Sequence, residues 1–93
     1  MSYCAYILTN TNRTVLYTGV TNNLGRRIHE HSSGEGSGFT KRYQARRLVF
    51  CEQFDQANDA IAAEKRIKAG SRQKKVALIE KQNPFWRDLV EDL

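Results

Sequence analysis

The run Tyr17-Thr18-Gly19-Val20-Thr21-Asn22-Asn23-Leu24-Gly25-Arg26-Arg27-Ile28-His29-Glu30-His31 changes character part-way along. Up to Val20 it is rich in aromatic and β-branched residues and reads as a strand. Thr21, Asn22 and Asn23 then offer side-chain oxygens that cap a helix, and Leu24 and Ile28 recur at helical spacing to about His31. A strand therefore runs directly into a helix, whose first N–H groups are suited to an anion. Arg27 and His31, four apart, share one helical face. Gly19 has no side chain, so a helix or a phosphate has room to approach the sheet there.

Upstream, Tyr3 to Leu8 is a second stretch of strand character, and Asn10, Thr11, Asn12 and Arg13 separate it from Thr14 to Val20 as a turn. The spacing predicts a hairpin with a four-residue loop, Tyr6 opposite Tyr17, Cys4 opposite Gly19 and Leu8 opposite Val15. Both tyrosines then lie on one face of the sheet. Downstream, Ser32 to Gly38 reads as a mobile surface loop, and Leu48 to Phe54 as a third strand. Asp55 offers an N-cap for a helix running to about Ala69, which Gly70 ends; Ser71 caps a further helix to about Lys81, stopped by Asn83 and Pro84. The expectation is an α+β fold, a small three-stranded antiparallel sheet flanked by helices, in a single domain over residues 1–93.

Hydrophobic residues make up 40% of the 93 and charged residues 27%, which excludes a disordered tail. No apolar run approaches the roughly 18 residues a membrane span needs, so no membrane partner and a cytoplasmic location are expected. Cys4 and Cys51 fall within strands and outside any CxxC motif, and read as small buried apolar side chains. Lysine plus arginine outnumber aspartate plus glutamate 15 to 10, a net charge of +5. The excess is clustered: Lys41, Arg42, Arg46, Arg47, Lys65, Lys68, Lys74 and Lys75 are the candidate contacts to a polyanion, most simply nucleic acid.

On the helix after the third strand, Ala57, Ala60, Ile61 and Ile67 mark an apolar stripe with Glu64 inside it. A buried carboxylate needs a cation, a hydrogen-bond network or a metal. The alternative is a helix-edge pair with Lys68 at i+4, worth a few tenths of a kcal/mol. Residue physics leaves the two readings open.

Taken together, Cys4-Ala5-Tyr6, then Tyr17-Thr18-Gly19, Asn23-Leu24, Arg27 and His31, followed by Glu64-Lys65 with Lys68 and by Asn83-Pro84 with Trp86, resemble the GIY-YIG nuclease signature. The likeness covers nearly the whole chain and is greatest to the short, single-domain UPF0213-type group. It implies a metal-dependent endonuclease hydrolysing phosphodiester bonds of nucleic acid, with DNA as the expected substrate and DNA repair or recombination as the expected setting. It implies also that Tyr6 and Tyr17 are the motif tyrosines, Arg27 the catalytic arginine, His31 its helix neighbour, Glu64 the ligand of Mg²⁺ or Mn²⁺, and Asn83 a residue near the scissile phosphate. Cys4, Ala5 and Thr18 depart from the motif's name, and Val20 stands where some relatives carry lysine.

A tyrosine, ordinarily titrating near pH 10, can act as general base only where neighbouring cations lower that value. Tyr17 is expected as base, Tyr6 as a positioning hydroxyl and His31 as relay or support. Two rivals remain: a module that binds nucleic acid through the basic residues without cutting it, and a protein-interaction domain anchored by Phe85 and Trp86.

Overall fold

The computed structural model describes residues 2–33 and 38–93. In chain order come β1 (Tyr3–Thr9), β2 (Leu16–Thr21), α1 (Leu24–Ser32), α2 (Gly38–Tyr43), β3 (Arg47–Phe54), α3 (Ala57–Ala69), α4 (Arg72–Gln82) and a short 3-10 helix, Leu89–Asp92. The three strands form one antiparallel sheet in the order β2-β1-β3, so the fold is α+β with a helix-flanked sheet, as expected. No helix among the described residues is long and apolar enough to cross a membrane.

The middle strand is covered on both faces, and six of the seven residues of β1 are buried. Cys4, Tyr6 and Leu8 pack with Leu24 and Ile28 of α1 and with Leu48. Ile7 packs with Val49, Phe50, Ile79 and Trp86, and Ile67 of α3 lies against that group. The small side chains of Ala60 and Ala63 are fully covered in α3. Ala63, rather than Ile61, completes the buried stripe, because Ile61 points outward at 39% exposure.

The hairpin register differs from the expected one by two residues. Tyr6 pairs with Gly19, Leu8 with Tyr17, Cys4 with Thr21 and Thr9 with Leu16. The loop therefore runs from Asn10 to Val15. It is held by the Asn10 side chain, whose Oδ1 accepts from the Thr14 and Val15 N–H groups, and by Arg13 in the left-handed region at φ 58°. An Asx side chain that stands in for backbone acceptors lets a longer loop close tightly. Because the slip is an even number, both tyrosines remain on one face.

Opposite the space that Gly19 leaves lies the ring of Tyr6. A Cβ on Gly19 would sit 2.5 Å from both Cζ and Oη of Tyr6. The gap is thus filled from within the sheet, rather than by an approaching helix or phosphate.

Several boundaries also move. Asn23 caps α1 by accepting from Arg26 N at 3.1 Å, and Ser71 caps α4 by accepting from Lys74 N. Gln56, not Asp55, occupies the cap of α3 and makes no side-chain cap bond; Gly70 ends that helix in an extended conformation at φ −75° rather than a left-handed one. Of the Ser32 to Gly38 stretch, residues 34–37 lie outside the described ones, and Gly38 already begins α2, a helix too short to carry a periodic signal.

In β3, the pairs Ile7 with Phe50 and Leu8 with Leu48 leave Val49 as the extra residue of a bulge. Asn83 Nδ2 donates to the Val49 carbonyl at 3.2 Å and to the Arg87 carbonyl at 2.7 Å, while its Oδ1 accepts from Arg87 N at 3.0 Å. Asp88 Oδ1 accepts from Leu48 N. Trp86 is buried, its Nε1 donating to Glu80 Oε2 at 2.9 Å, whereas Phe85 is 85% exposed. The aromatic pair is thus one core staple and one solvent-facing ring, and not a joint anchor.

Replacing Gly19 with alanine forces the Tyr6 ring or β2 to shift, a form of overpacking that costs about 1–3 kcal/mol. Thermal or urea unfolding of Gly19→Ala should show a midpoint several degrees or a fraction of a molar lower, and an unchanged midpoint would mean that the ring moves aside freely.

Candidate active site

The face of the sheet that carries Tyr6 and Tyr17 also receives His31 from α1. The two tyrosine ring centroids lie 6.4 Å apart, and Tyr17 meets the His31 ring edge-on at 5.6 Å. Tyr6 Oη lies 3.4 Å from His31 Nε2, and Thr40 Oγ1 of α2 lies 2.9 Å from His31 Nδ1. Tyr6, His31 and Thr40 are all buried, whereas Tyr17 is half-buried.

Charges surround this group without entering it. Burial pushes the Tyr6 phenol well above the usual tyrosine range, and Tyr17, Glu30 and Glu64 push the same way against the guanidinium of Arg27. Burial, and then Arg27, hold the His31 imidazole below its ordinary value, with Glu30 opposing. Arg27 and Glu64 therefore both act on Tyr6 although α1 and α3 are far apart in sequence. The Nε atom of Arg27 is buried with no hydrogen-bond partner among the described residues. A buried donor of that kind costs about 1–3 kcal/mol unless something fills it.

Glu64 combines features of both sequence readings. Its side chain is only 13% exposed, and Oε2 pairs with Lys68 Nζ at 2.9 Å.

Asn83, expected near the scissile phosphate, has its side chain bonded to the β3 bulge and the tail. Among the basic candidates, Lys68 is taken up by Glu64, and Arg47 donates to the Trp86 carbonyl at 3.3 Å. Arg42 lies over the Tyr43 ring, 5.5 Å from its centroid. Lys41, Arg46, Lys65 and Lys74 are exposed and Lys75 half-exposed, on α2, before β3, and on α3 and α4.

Thr40 and Phe39 are the site neighbours that sequence reasoning missed. Phe39 lies 5.9 Å from Tyr17 and 4.8 Å from Tyr43, ring to ring. Both residues belong to α2, and a six-residue helix with one buried position leaves no periodic pattern to find. Burial raises both cysteine thiols, and both are free. Cys4 is buried as expected, whereas Cys51 is only partly buried because β3 is less covered from that residue on.

The sequence profile of the GIY-YIG catalytic domain matches residues 2–77, which takes in both tyrosines, Arg27, His31 and Glu64. The chain belongs to the GIY-YIG family. It is 42% identical to a UPF0213 protein of Natronomonas pharaonis over 74 residues, 80% of this chain and 86% of that one. Identity to a UPF0213 protein of Syntrophus aciditrophicus is also 42%, over 85% of this chain and 90% of the other. The solution structure of a UPF0213 protein from Bacillus halodurans superposes with a TM-score of 0.61 at 32% identity, covering 95% of this chain and 93% of that one. The chain is thus a short GIY-YIG protein of the UPF0213 type, in a nuclease family.

The burial of neutral His31 has a consequence for stability. Its folded-state value lies below the ordinary one of 6.5. Above about pH 6.5 neither state is protonated and the stability is fully present; as the pH falls below that, the unfolded chain takes up a proton that the folded one refuses, and stability drops. Urea unfolding followed from about pH 7.5 down to about pH 5 should lose stability more steeply for the wild type than for His31→Gln. Equal slopes would assign the acid sensitivity to other groups.

Proposed function

We propose that this chain, as a single domain over residues 1–93, is a metal-dependent endonuclease that hydrolyses phosphodiester bonds of DNA in the cytoplasm, in repair or recombination. The observation that best supports it is the gathering of Tyr6, Tyr17 and His31 on one face under the joint influence of Arg27 and Glu64.

Hydrolysis needs a water relieved of a proton, neutralised phosphoryl oxygens and a stabilised leaving oxygen. Burial keeps the Tyr6 phenol protonated, so Tyr6 suits a donor or positioning role beside His31. The base role goes to Tyr17, which is half-buried at the mouth of the group. Arg27 brings a planar fork matched to two non-bridging oxygens, and its unpaired Nε is a donor in want of an acceptor. The exposed Lys41, Arg42, Arg46, Lys65 and Lys74 hold the backbone of the nucleic acid.

Among the described residues no three His, Cys, Asp or Glu side chains form a metal cage. A hard cation such as Mg²⁺ or Mn²⁺ requires none, since it keeps several waters and takes one or two carboxylates together with substrate phosphate. Glu64, little exposed, paired with Lys68 and within electrostatic reach of Tyr6, fits that role. When bound, the cation supplies positive charge against the phosphoryl oxygens.

The rival, a module that binds nucleic acid but does not cut, is favoured by one observation, that Lys68 already neutralises Glu64. Two variants discriminate. Glu64→Gln should abolish Mg²⁺-dependent nicking of plasmid while leaving the fold and DNA binding intact; cutting at the wild-type rate would withdraw Glu64 as ligand. Arg27→Lys keeps the charge but loses the fork, so equilibrium binding should hardly change while single-turnover cleavage falls by about a hundredfold or more. Small, parallel effects on the two measurements would return Arg27 to an ordinary basic surface, and a wild type that binds DNA but never cuts it would establish the rival.

A further inference from the structure

His31 is held at both ring nitrogens, by Tyr6 Oη at 3.4 Å on Nε2 and Thr40 Oγ1 at 2.9 Å on Nδ1. A neutral imidazole carries a single N–H, so one of these contacts must have the ring as donor and the other must have it as acceptor. His31 Nε2 is the only hydrogen-bond partner of the Tyr6 hydroxyl among the described residues. If Nε2 carried the proton and donated to Tyr6, the phenol O–H would be left without an acceptor there. If Nδ1 carries it, Nδ1–H donates to Thr40 Oγ1 and the Tyr6 O–H donates to Nε2, which leaves the Thr40 O–H for a partner other than His31. Thr40 is engaged beyond this pair, whereas the Tyr6 hydroxyl has no second partner among the described residues, so this tautomer is the one that satisfies Tyr6.

We propose that Thr40 is a positioning residue of the site, whose hydroxyl accepts from His31 Nδ1–H and so fixes the tautomer that presents a bare Nε2 to Tyr6. Thr40 touches neither substrate nor metal; it acts through His31 on the orientation of the Tyr6 phenol. Its effect on cleavage rests on the nuclease reading above, while its effect on the imidazole does not. Geometry favours so strict an arrangement. Gly19 lets the Tyr6 ring lie close against β2, Tyr17 bounds the imidazole edge-on, and Thr40 is 1% exposed. Neutral His31 is also the form that burial and Arg27 sustain. The share of the fold that performs this is α2, whose single buried residue is Thr40.

The test uses Thr40→Val, which keeps the shape and removes the hydroxyl, and Thr40→Ser, which keeps the hydroxyl. Long-range proton–nitrogen NMR correlation of the His31 ring reads the tautomer directly, on protein whose fold is checked by its amide spectrum. The wild type and Thr40→Ser should show Nδ1 protonated and Nε2 bare, and Thr40→Val should shift the ring toward the Nε2–H form. With DNA and Mg²⁺, Thr40→Val should lower kcat by about ten- to a hundredfold with KM little changed, and Thr40→Ser should recover most of the loss. An Nε2–H ring in the wild type, or an unaltered ring in Thr40→Val, would overturn the assignment. So would a shifted tautomer with unaltered kcat, since the hydroxyl would then position nothing that matters. If Thr40→Val fails to fold, the wild-type and Thr40→Ser spectra still decide. If the wild type cuts no nucleic acid, the nuclease reading fails, and the spectra alone decide whether Thr40 selects the tautomer.

Discussion

The ring of Tyr6 lies against the backbone of Gly19, at a distance that leaves no place for even a methyl group. That contact joins the central strand to its neighbour on the face where the site is built, and it sets the direction of the phenol. With the ring close against β2, the hydroxyl reaches His31 on α1, and His31 in turn reaches Thr40 on α2. Had residue 19 any side chain, the ring would have to lift, and the chain of contacts from sheet to both helices would begin in the wrong place. The register with Tyr6 opposite Gly19, two residues from the one a four-residue loop gives, is therefore the one the site requires.

How much of this was legible depended on whether the signal was local. The strand-to-helix change after Val20 was readable because Asn23 has a local task, accepting from Arg26 N. The shared face of the tyrosines was readable because pleating has a period of two, and it survived a register error of two. The error itself arose because Asn10 binds the Thr14 and Val15 amides and enlarges the loop, and nothing in the loop's composition separates four residues from six. Asn83 shows the opposite limit. Its ties to the Val49 and Arg87 carbonyls answer a bulge in β3, and a bulge is visible only once two strands are paired. Thr40 was hidden for a related reason, since its partner lies nine residues away in sequence and α2 is too short to carry a periodic pattern.

Glu64 was left between two readings that exclude each other less than they seemed to. A partly exposed i, i+4 ion pair is worth only about 0.3–0.5 kcal/mol. The contact with Lys68, whose side chain is 56% exposed, is thus a resting arrangement that a stronger cation or a phosphate can displace without threat to the helix. The low exposure of the carboxylate, by contrast, comes from the packing of α3 and persists whichever cation it meets. The second property is the one that bears on the proposed role, because it keeps a negative charge within electrostatic reach of Tyr6.

The opposite displacements of Tyr6 and His31 have a common origin. Burial disfavours the charged form of each, which raises an acid and lowers a base, so the two are driven apart and the proton stays on the phenol. Arg27 opposes the first shift and reinforces the second, yet burial prevails in both. The interior of the site is consequently a neutral hydrogen-bonded chain, with its charges, Arg27 and Glu64, arranged around it. Such a chain can orient groups and pass a proton along, but it offers no permanent charge to a phosphate. The permanent charges are those of Arg27 and Glu64, and this is why the two residues nearest the centre and the two charged ones must be tested by different measurements.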